Sequence, residues 1–246
     1  MIKYMVLGIM QGLTEFLPVS SSGHLVIIGR FLGIRESQAA AAVILHLGTI
    51  LALVIFFFKE ILKLLRDLTT LFLIIIVTLI TGLIGIWGRD FFESLFKTPK
   101  LVAISLIFTG VILILTKFTN PRRYNLNVKD ALILGIIQGI AIIPGISRSG
   151  STISSLLFRG IEPKLSFNFS FLAAIPAILG ATILEFKDTG LILQQGRGNL
   201  IIGFIFSFLS GIFSLWLLKR ILNKARIYYF GYYCILMGVF SLIFVK

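Results

Sequence analysis

"GIMQGLTEFLPVSSSGH", residues 8–24, and "GIIQGIAIIPGISRSGS", residues 135–151, are two versions of one segment, and their relation decides the fold. Gly8, Gln11 and Gly12 match Gly135, Gln138 and Gly139 at an offset of 127 residues. Pro18 and Pro144 need a shift of one. Ser20, Ser22 and Gly23 then match Ser147, Ser149 and Gly150, again at 127. That offset is about half of the 246 residues, so the chain reads as two copies of one unit, 1–118 and 129–246. A spacer at 119–128, around Asn120-Pro121-Arg122-Arg123, joins them.

The solvent of these copies is lipid. Hydrophobic residues make up 57% of the chain, mean hydropathy is +1.03 and only 13% of residues are charged, against roughly 25% in a soluble domain. Apolar runs of about 20 residues recur, each long enough to cross roughly 30 Å of hydrocarbon. The polar stretches are too short to bury a core of their own, so residues 1–246 form one integral, multi-pass, all-α membrane domain. The N-terminus, with one lysine (Lys3), an acid in its apolar run and no small-residue cleavage site, reads as retained rather than as a signal peptide. A single cysteine, Cys234, excludes an internal disulfide, and two histidines with one cysteine do not make a zinc site of the usual type. No G-x-x-x-x-G-K-[ST] segment is present to couple the chain to nucleotide hydrolysis. The net charge of +13 suits anionic headgroups or an anionic substrate. Too little chain lies outside the membrane for a nucleic acid partner.

Each copy opens with two short segments broken by proline and a Ser/Gly cluster, at 2–17 and 21–33, then at 129–143 and 147–160. Each pair predicts a re-entrant helical hairpin, whose non-helical tip must be covered by protein or line a polar cavity. Three spans follow in each copy: 38–58, 69–87 and 101–118, then 164–185, 199–218 and 227–245. An odd number of spans inverts the second copy relative to the first, and paired interrupted segments in inverted halves point to a binding site at the repeat interface. The side carrying Lys59, Lys63, Arg66, Lys117, Arg122, Arg123, Lys129, Arg159, Lys164, Lys219, Arg220, Lys224 and Arg226 is richer in lysine and arginine than the side carrying Lys3, Arg30, Arg35, Arg89, Lys97, Lys100, Lys187, Arg197 and Lys246. The richer side should be cytoplasmic and both termini extracytoplasmic.

The polar residues of the two hairpins are the candidates for chemistry. Gly8, Gln11, Gly12 and Glu15 share one helix face, where glycines allow close packing and an intramembrane carboxylate marks a functional site. Turn and cap chemistry accounts for one or two of Ser20, Ser21 and Ser22, and free N–H groups at a helix start bind anions. His24 follows directly; His46, in a full span beside Thr49, reads as structural or supporting. Arg148 occupies the position of Ser21 in the second copy. It either pairs with Glu15 or clamps a phosphate, for which its planar fork is suited, with Ser147, Ser149 and Thr152 as further donors. A hydroxyl nucleophile, a proton-transfer group and a cation over phosphoryl oxygens are the parts of a phosphoryl-transfer site. Glu15 could also hold a divalent metal.

The segments "QGLTEFLPVSSSGH" and "PGISRSGST" resemble the signatures of the undecaprenyl-diphosphate phosphatases, also called bacitracin resistance proteins, and the resemblance covers essentially the whole chain. It implies an integral phosphatase of the plasma (inner) membrane. The enzyme would convert a polyprenyl diphosphate to the monophosphate carrier of peptidoglycan and envelope synthesis, and so confer bacitracin resistance. The family's Glu/Gln-x-x-x-Glu motif falls on Gln11 and Glu15, its serine and histidine on Ser21 and His24, and its R-S-G-x-T motif on Arg148, Ser149, Gly150 and Thr152. The implied roles are Ser21 as nucleophile, His24 in proton transfer, Glu15 as metal ligand or base and Arg148 on the phosphates. Ser20, Ser22, Ser147, Ser149 and Thr152 would help bind substrate, and Gln11 would orient a metal or a water. A divalent cation, Mg²⁺ or Ca²⁺, is the implied cofactor. The implied partners are the polyprenyl diphosphate, the bilayer and, as an arrangement left open, a second copy in a homodimer. Inverted repeats with broken helices are also the plan of secondary transporters, so a carrier or flippase of polyprenyl phosphate or another anionic lipid is the rival reading.

Overall fold

The computed structural model describes residues 1–31, 38–96, 98–188, 197–224 and 226–244. The predicted ends at 33 and 245, and the orienting charges Arg35, Lys97 and Lys246, lie outside the described residues.

Twelve helices are named among the described residues. In the first half these are α1 (Ile2–Phe16), α2 (Ser21–Phe31), α3 (Gln38–Phe56), α4 (Phe58–Leu64), α5 (Leu68–Trp87), α6 (Arg89–Phe96) and α7 (Pro99–Leu115). The second half holds α8 (Val128–Ile140), α9 (Arg148–Phe158), α10 (Pro163–Asp188), α11 (Arg197–Leu222) and α12 (Tyr229–Phe244). Four helices are long and apolar enough to cross a membrane: Leu68–Trp87, Pro99–Phe118, Pro163–Leu184 and Gly198–Leu222. The pair α3 and α4, bent by 69° at their break, is long and apolar enough only when taken together, and α12 is apolar but shorter. The predicted span at 38–58 falls on α3, with the bend at its predicted end, and α4 beyond it and α6, ion-paired from Arg89 to Glu93 at 2.8 Å, are short helices that the span pattern did not anticipate.

The helices pair by exchange. The first-hairpin helix α1 packs on α11 of the second half, and α8 packs on α5 of the first. Likewise α3 packs on α11 and α10 on α5, while α7 and α12 pair with each other. The small residues of the repeat make these contacts. A Cβ on Gly8 would run into Gly203 and Ser207 of α11, and one on Gly12 into Ser207 and Gly211. A Cβ on Gly135 or Gly139 would meet Ile80 or Ile84 of α5. Position 80 is to 207, and 84 to 211, as Gly8 is to Gly135, so the offset of 127 extends from the hairpins to the helices that receive them. In lipid there is little hydrophobic gain from bringing two apolar helices together, so such close backbone contact and interhelical hydrogen bonds must hold them. Ser207 donates to Leu45 O at 2.7 Å and Ser214 to Gly12 O at 2.8 Å.

At one end of the bundle, Phe16, Phe57, Phe167 and Phe171 are almost completely buried against one another. The spacer is tied down rather than free. Asp130 is fully buried between Arg123 at 2.9 Å and Arg159 at 2.8 Å, and it completes a capping box with Asn127 at the start of α8. Burial alone would raise the Asp130 pKa, but the hydrogen bonds from Arg123 and Arg159 outweigh it and hold the carboxyl below its ordinary range.

Candidate active site

Each hairpin turns through a serine that caps the following helix. Ser20 Oγ accepts from Gly23 N at 3.3 Å and lies 3.3 Å from Ser22 Oγ. Ser147 Oγ accepts from Gly150 N at 3.1 Å and lies 3.4 Å from Ser149 Oγ. The two turns are thus the same capping arrangement 127 residues apart. Each is also held in place from outside. Ser20 adopts a left-handed φ of 69°, a costly conformation for a non-glycine residue that surrounding contacts must sustain. His24 provides one such contact: its Nδ1 lies 2.8 Å from Ser20 O. In the second turn Gly145 has φ 94° and no room for a Cβ beneath Val102 O, and Thr109 donates to Gly145 O and accepts from Ser147 N, both at 3.0 Å.

The two copies differ where it matters. Ser21 and Arg148 are equivalent first residues of α2 and α9, and both reach the same carboxylate. Ser21 Oγ donates to Glu15 Oε2 at 2.6 Å, and Arg148 Nη2 donates to Glu15 Oε1 at 2.6 Å. Gln11 Nε2 donates to Glu15 Oε2 at 3.1 Å and faces His46 Nδ1 at 3.2 Å. An amide oriented the other way would aim its oxygen at the carboxylate, so electrostatics fixes the orientation of Gln11. His46 Nδ1 then accepts, and it lies 4.0 Å from Glu15 Oε2. Gln11 is fully buried and its Oε1 has no partner among the described residues. Glu15 is therefore kept in an apolar chain by a guanidinium, a hydroxyl and an amide, each supplied at hydrogen-bond distance.

A cavity of about 450 Å³ opens over this group, and Glu15, Ser20, Ser21, Ser22, Ser147, Arg148 and His46 line it. Two helix N-termini, those of α2 and α9, thus open on one space, where their free N–H groups and dipoles favour an anion. Not every expected residue faces it. Gln11, Ser149 and Thr152 lie behind the lining: Ser149 Oγ donates to Leu17 O at 3.3 Å, while Thr152 donates to Arg148 O at 2.8 Å and pairs with Ser170. His24 is also outside the cavity. Its Nδ1–H is used by Ser20 O, so Nε2 accepts from Tyr233 Oη at 2.7 Å, and the two rings stack with centroids 5.6 Å apart. His46, read from the sequence as a supporting residue, is instead part of the wall. The second half holds the corresponding contact. Gln138, the counterpart of Gln11, donates to Ala173 O at 3.4 Å, and Ala173 is the counterpart of His46.

Among the described residues no group of three or more His, Cys, Asp or Glu could hold a metal. Glu15 is the one carboxylate of the cavity lining among the described residues.

A family model described as "Bacitracin resistance protein BacA" matches residues 4–240. The chain belongs to that family. Curated members of the BacA family are similar over almost their whole length. An undecaprenyl-diphosphatase of Halothermothrix orenii is 43% identical, covering 98% of this chain and 96% of the relative. One of Alkaliphilus metalliredigens is 40% identical, covering 98% of each. One of Thermotoga maritima is 39% identical, covering 96% of this chain and 98% of the relative. As a BacA-family chain, it carries its divergent pair Ser21 and Arg148 inside the matched segment.

Proposed function

We propose that the chain is an undecaprenyl-diphosphate phosphatase of the plasma (inner) membrane, releasing inorganic phosphate and the monophosphate carrier lipid. Recycling that carrier would support peptidoglycan and envelope synthesis and confer bacitracin resistance. The observation that carries this reading is the single carboxylate shared between a serine hydroxyl and an arginine, at the mouth of two helix N-termini. In this reading Arg148 and the N–H groups of α2 and α9 neutralise the diphosphate. Ser21 Oγ attacks the terminal phosphorus, and Glu15 Oε2 takes the hydroxyl proton. The P–O bond to the lipid phosphate breaks, leaving a phosphoseryl group that water then hydrolyses. A serine hydroxyl is a weak nucleophile at its free pKa and needs such an adjacent base. Ser20, Ser22 and Ser147 offer further hydroxyls to the phosphates from the cavity wall. His24 acts by position, holding the Ser20 turn from which Ser21 projects.

A divalent cation, Mg²⁺ or Ca²⁺, fits this donor set only as an ion shared with substrate. Mg²⁺ is commonly held by one or two carboxylates together with substrate phosphates, and Glu15, positioned by the N–H of Gln11, is what the cavity lining can offer. Such an ion would neutralise charge on the phosphoryl oxygens. The orientation with both termini extracytoplasmic and the inverted relation of repeats 1–118 and 129–246 belong to the same reading. The charge bias supports the first, and the exchanged pairing of α1 on α11 and α8 on α5 supports the second.

The test is phosphate release from farnesyl diphosphate by the purified protein with Mg²⁺ or Ca²⁺, beside Ser21→Ala and Arg148→Ala. Turnover lost in both variants while thermal melting persists is the expected result. Absence of release by the wild type, together with movement of polyprenyl phosphate across vesicles, would replace the enzyme by the carrier.

A further inference from the structure

Most glycines of this chain are explained by what lies against them. Gly82 of α5 and Gly180 of α10 are not: a Cβ on either would meet nothing within 4 Å. A glycine inside a helix costs up to about 1 kcal/mol relative to alanine, so an unfilled glycine needs another reason. Both line the same cavity as Ser21 and Arg148, from α5 and α10. The rim beyond them is Ile86 and Leu184, which line the cavity and yet are 65% and 47% exposed. That side of the cavity therefore opens between α5 and α10 toward the bilayer. Gln138 also lines the cavity, 2% exposed, and its Oε1 has no partner among the described residues.

A cavity of about 450 Å³ matches a drug-sized ligand. It is far too small for an undecaprenyl chain, which has to leave the site sideways. We propose that the isoprene units nearest the diphosphate lie in the α5–α10 cleft over Gly82 and Gly180, and that the chain enters lipid between Ile86 and Leu184. Gln138 Oε1 marks where the polar compartment ends, free to accept from water or a protonated phosphate oxygen. The proposal rests on the phosphatase reading and adds the residues that select a prenyl substrate. Two small residues in one cavity wall leave room for a branched chain, and a Cβ on either meets nothing within 4 Å.

The test compares wild type with Gly82→Leu, Gly180→Leu and, as a substitution into open space elsewhere, Gly198→Leu. The substrates are undecaprenyl, farnesyl and methyl diphosphates. Blocking burial of even two carbons should lower kcat/KM about tenfold for the two prenyl substrates, through KM. The value for methyl diphosphate should stay within about twofold, and Gly198→Leu should match wild type on all three. Equal loss on all substrates, or none on any, overturns the cleft. Two further arms keep the inference testable apart from turnover and from folding. Calorimetric binding of farnesyl monophosphate should weaken about tenfold in Gly180→Leu, and unchanged binding counts against the cleft even if the wild type proves to be no phosphatase. Gly180→Cys in a Cys234→Ala background, folded first and then capped with a bulky maleimide, should reproduce the substrate-selective loss; an unselective loss or none refutes it.

Discussion

Replacing Glu15 by glutamine, alone and together with Ser21→Ala, isolates the contact on which the proposed chemistry depends. The amide keeps the shape of the side chain and can still accept from Ser21, but it cannot take the proton that Ser21 Oγ now presents to Oε2 at 2.6 Å. Removing a positioned general base typically costs about 10²–10⁴ in rate, which is about 3–5 kcal/mol of barrier at 1.36 kcal/mol per factor of ten. Arg148, with 18% of its side chain exposed, also loses its counter-ion, so the upper half of that range is expected for Glu15→Gln. Ser21→Ala should slow the reaction at least as much. Groups that work as a unit are strongly non-additive, so the double variant should be within about threefold of Ser21→Ala. The assay is single-turnover release of radiolabelled terminal phosphate from farnesyl diphosphate, with protein in excess so that residual rates are resolved. If the double variant were slower than Ser21→Ala by the full factor measured for Glu15→Gln, Glu15 would be acting on the phosphates directly and the proton-transfer assignment would be wrong.

Three further outcomes follow from the packing. Asp130→Ala should destabilise the protein by about 2–3 kcal/mol, the low end for a broken buried ion pair because Arg123 and Arg159 each keep 32% of their side chains exposed. Because the folded Asp130 pKa is depressed, its contribution is present above the ordinary carboxyl pKa near 4 and fades as pH falls below it; wild-type melting temperature should drop there more steeply than that of Asp130→Asn. Gly8→Ala should cost about 1–3 kcal/mol by overpacking, read as lowered thermal stability in detergent, because its Cβ meets the backbone of Gly203; an unchanged melt would mean the α1–α11 contact is looser than described. Tyr233→Phe leaves His24 Nε2 without a donor and should cost about 1–3 kcal/mol, with kcat changed less than tenfold. A loss of kcat by a factor of a thousand would give His24 a direct part in the chemistry.

The hairpins and most of the span positions were legible because lipid imposes a simple code. Apolar runs must be long, and breaks in them must be covered. Hence α1, α2, α8 and α9 begin within a residue of the expected positions. The helix α4 beyond the bend at Phe57 was hidden because its seven residues are too few for a span and no proline or glycine marks the break. α6 was hidden because its eight residues are too few for a periodic pattern to stand out from a connecting loop. In the site, Glu15, Ser21 and Arg148 could be read because charge and hydroxyl clusters are costly in lipid and must be paired. What the chain order could not give was rotation about each helix axis. His24 and Ser21 are three residues apart, yet one faces α12 and the other the cavity. His46 enters the wall from a helix whose sequence marks no polar face.

The convergence of Ser21 and Arg148 on one carboxylate also bears on how such a site could arise. In a symmetric pair of identical half-length chains, any change at this position would appear twice, giving two serines or two arginines facing each other. A hydroxyl opposite a guanidinium requires the halves to mutate independently, which duplication of the gene permits and self-association of a single gene product does not. The asymmetry at this position therefore places the proposed chemistry after the duplication. A half-length ancestor bearing the same hairpin could have bound an anion between its two helix ends, but it could not have set a hydroxyl and a guanidinium on opposite oxygens of one acid.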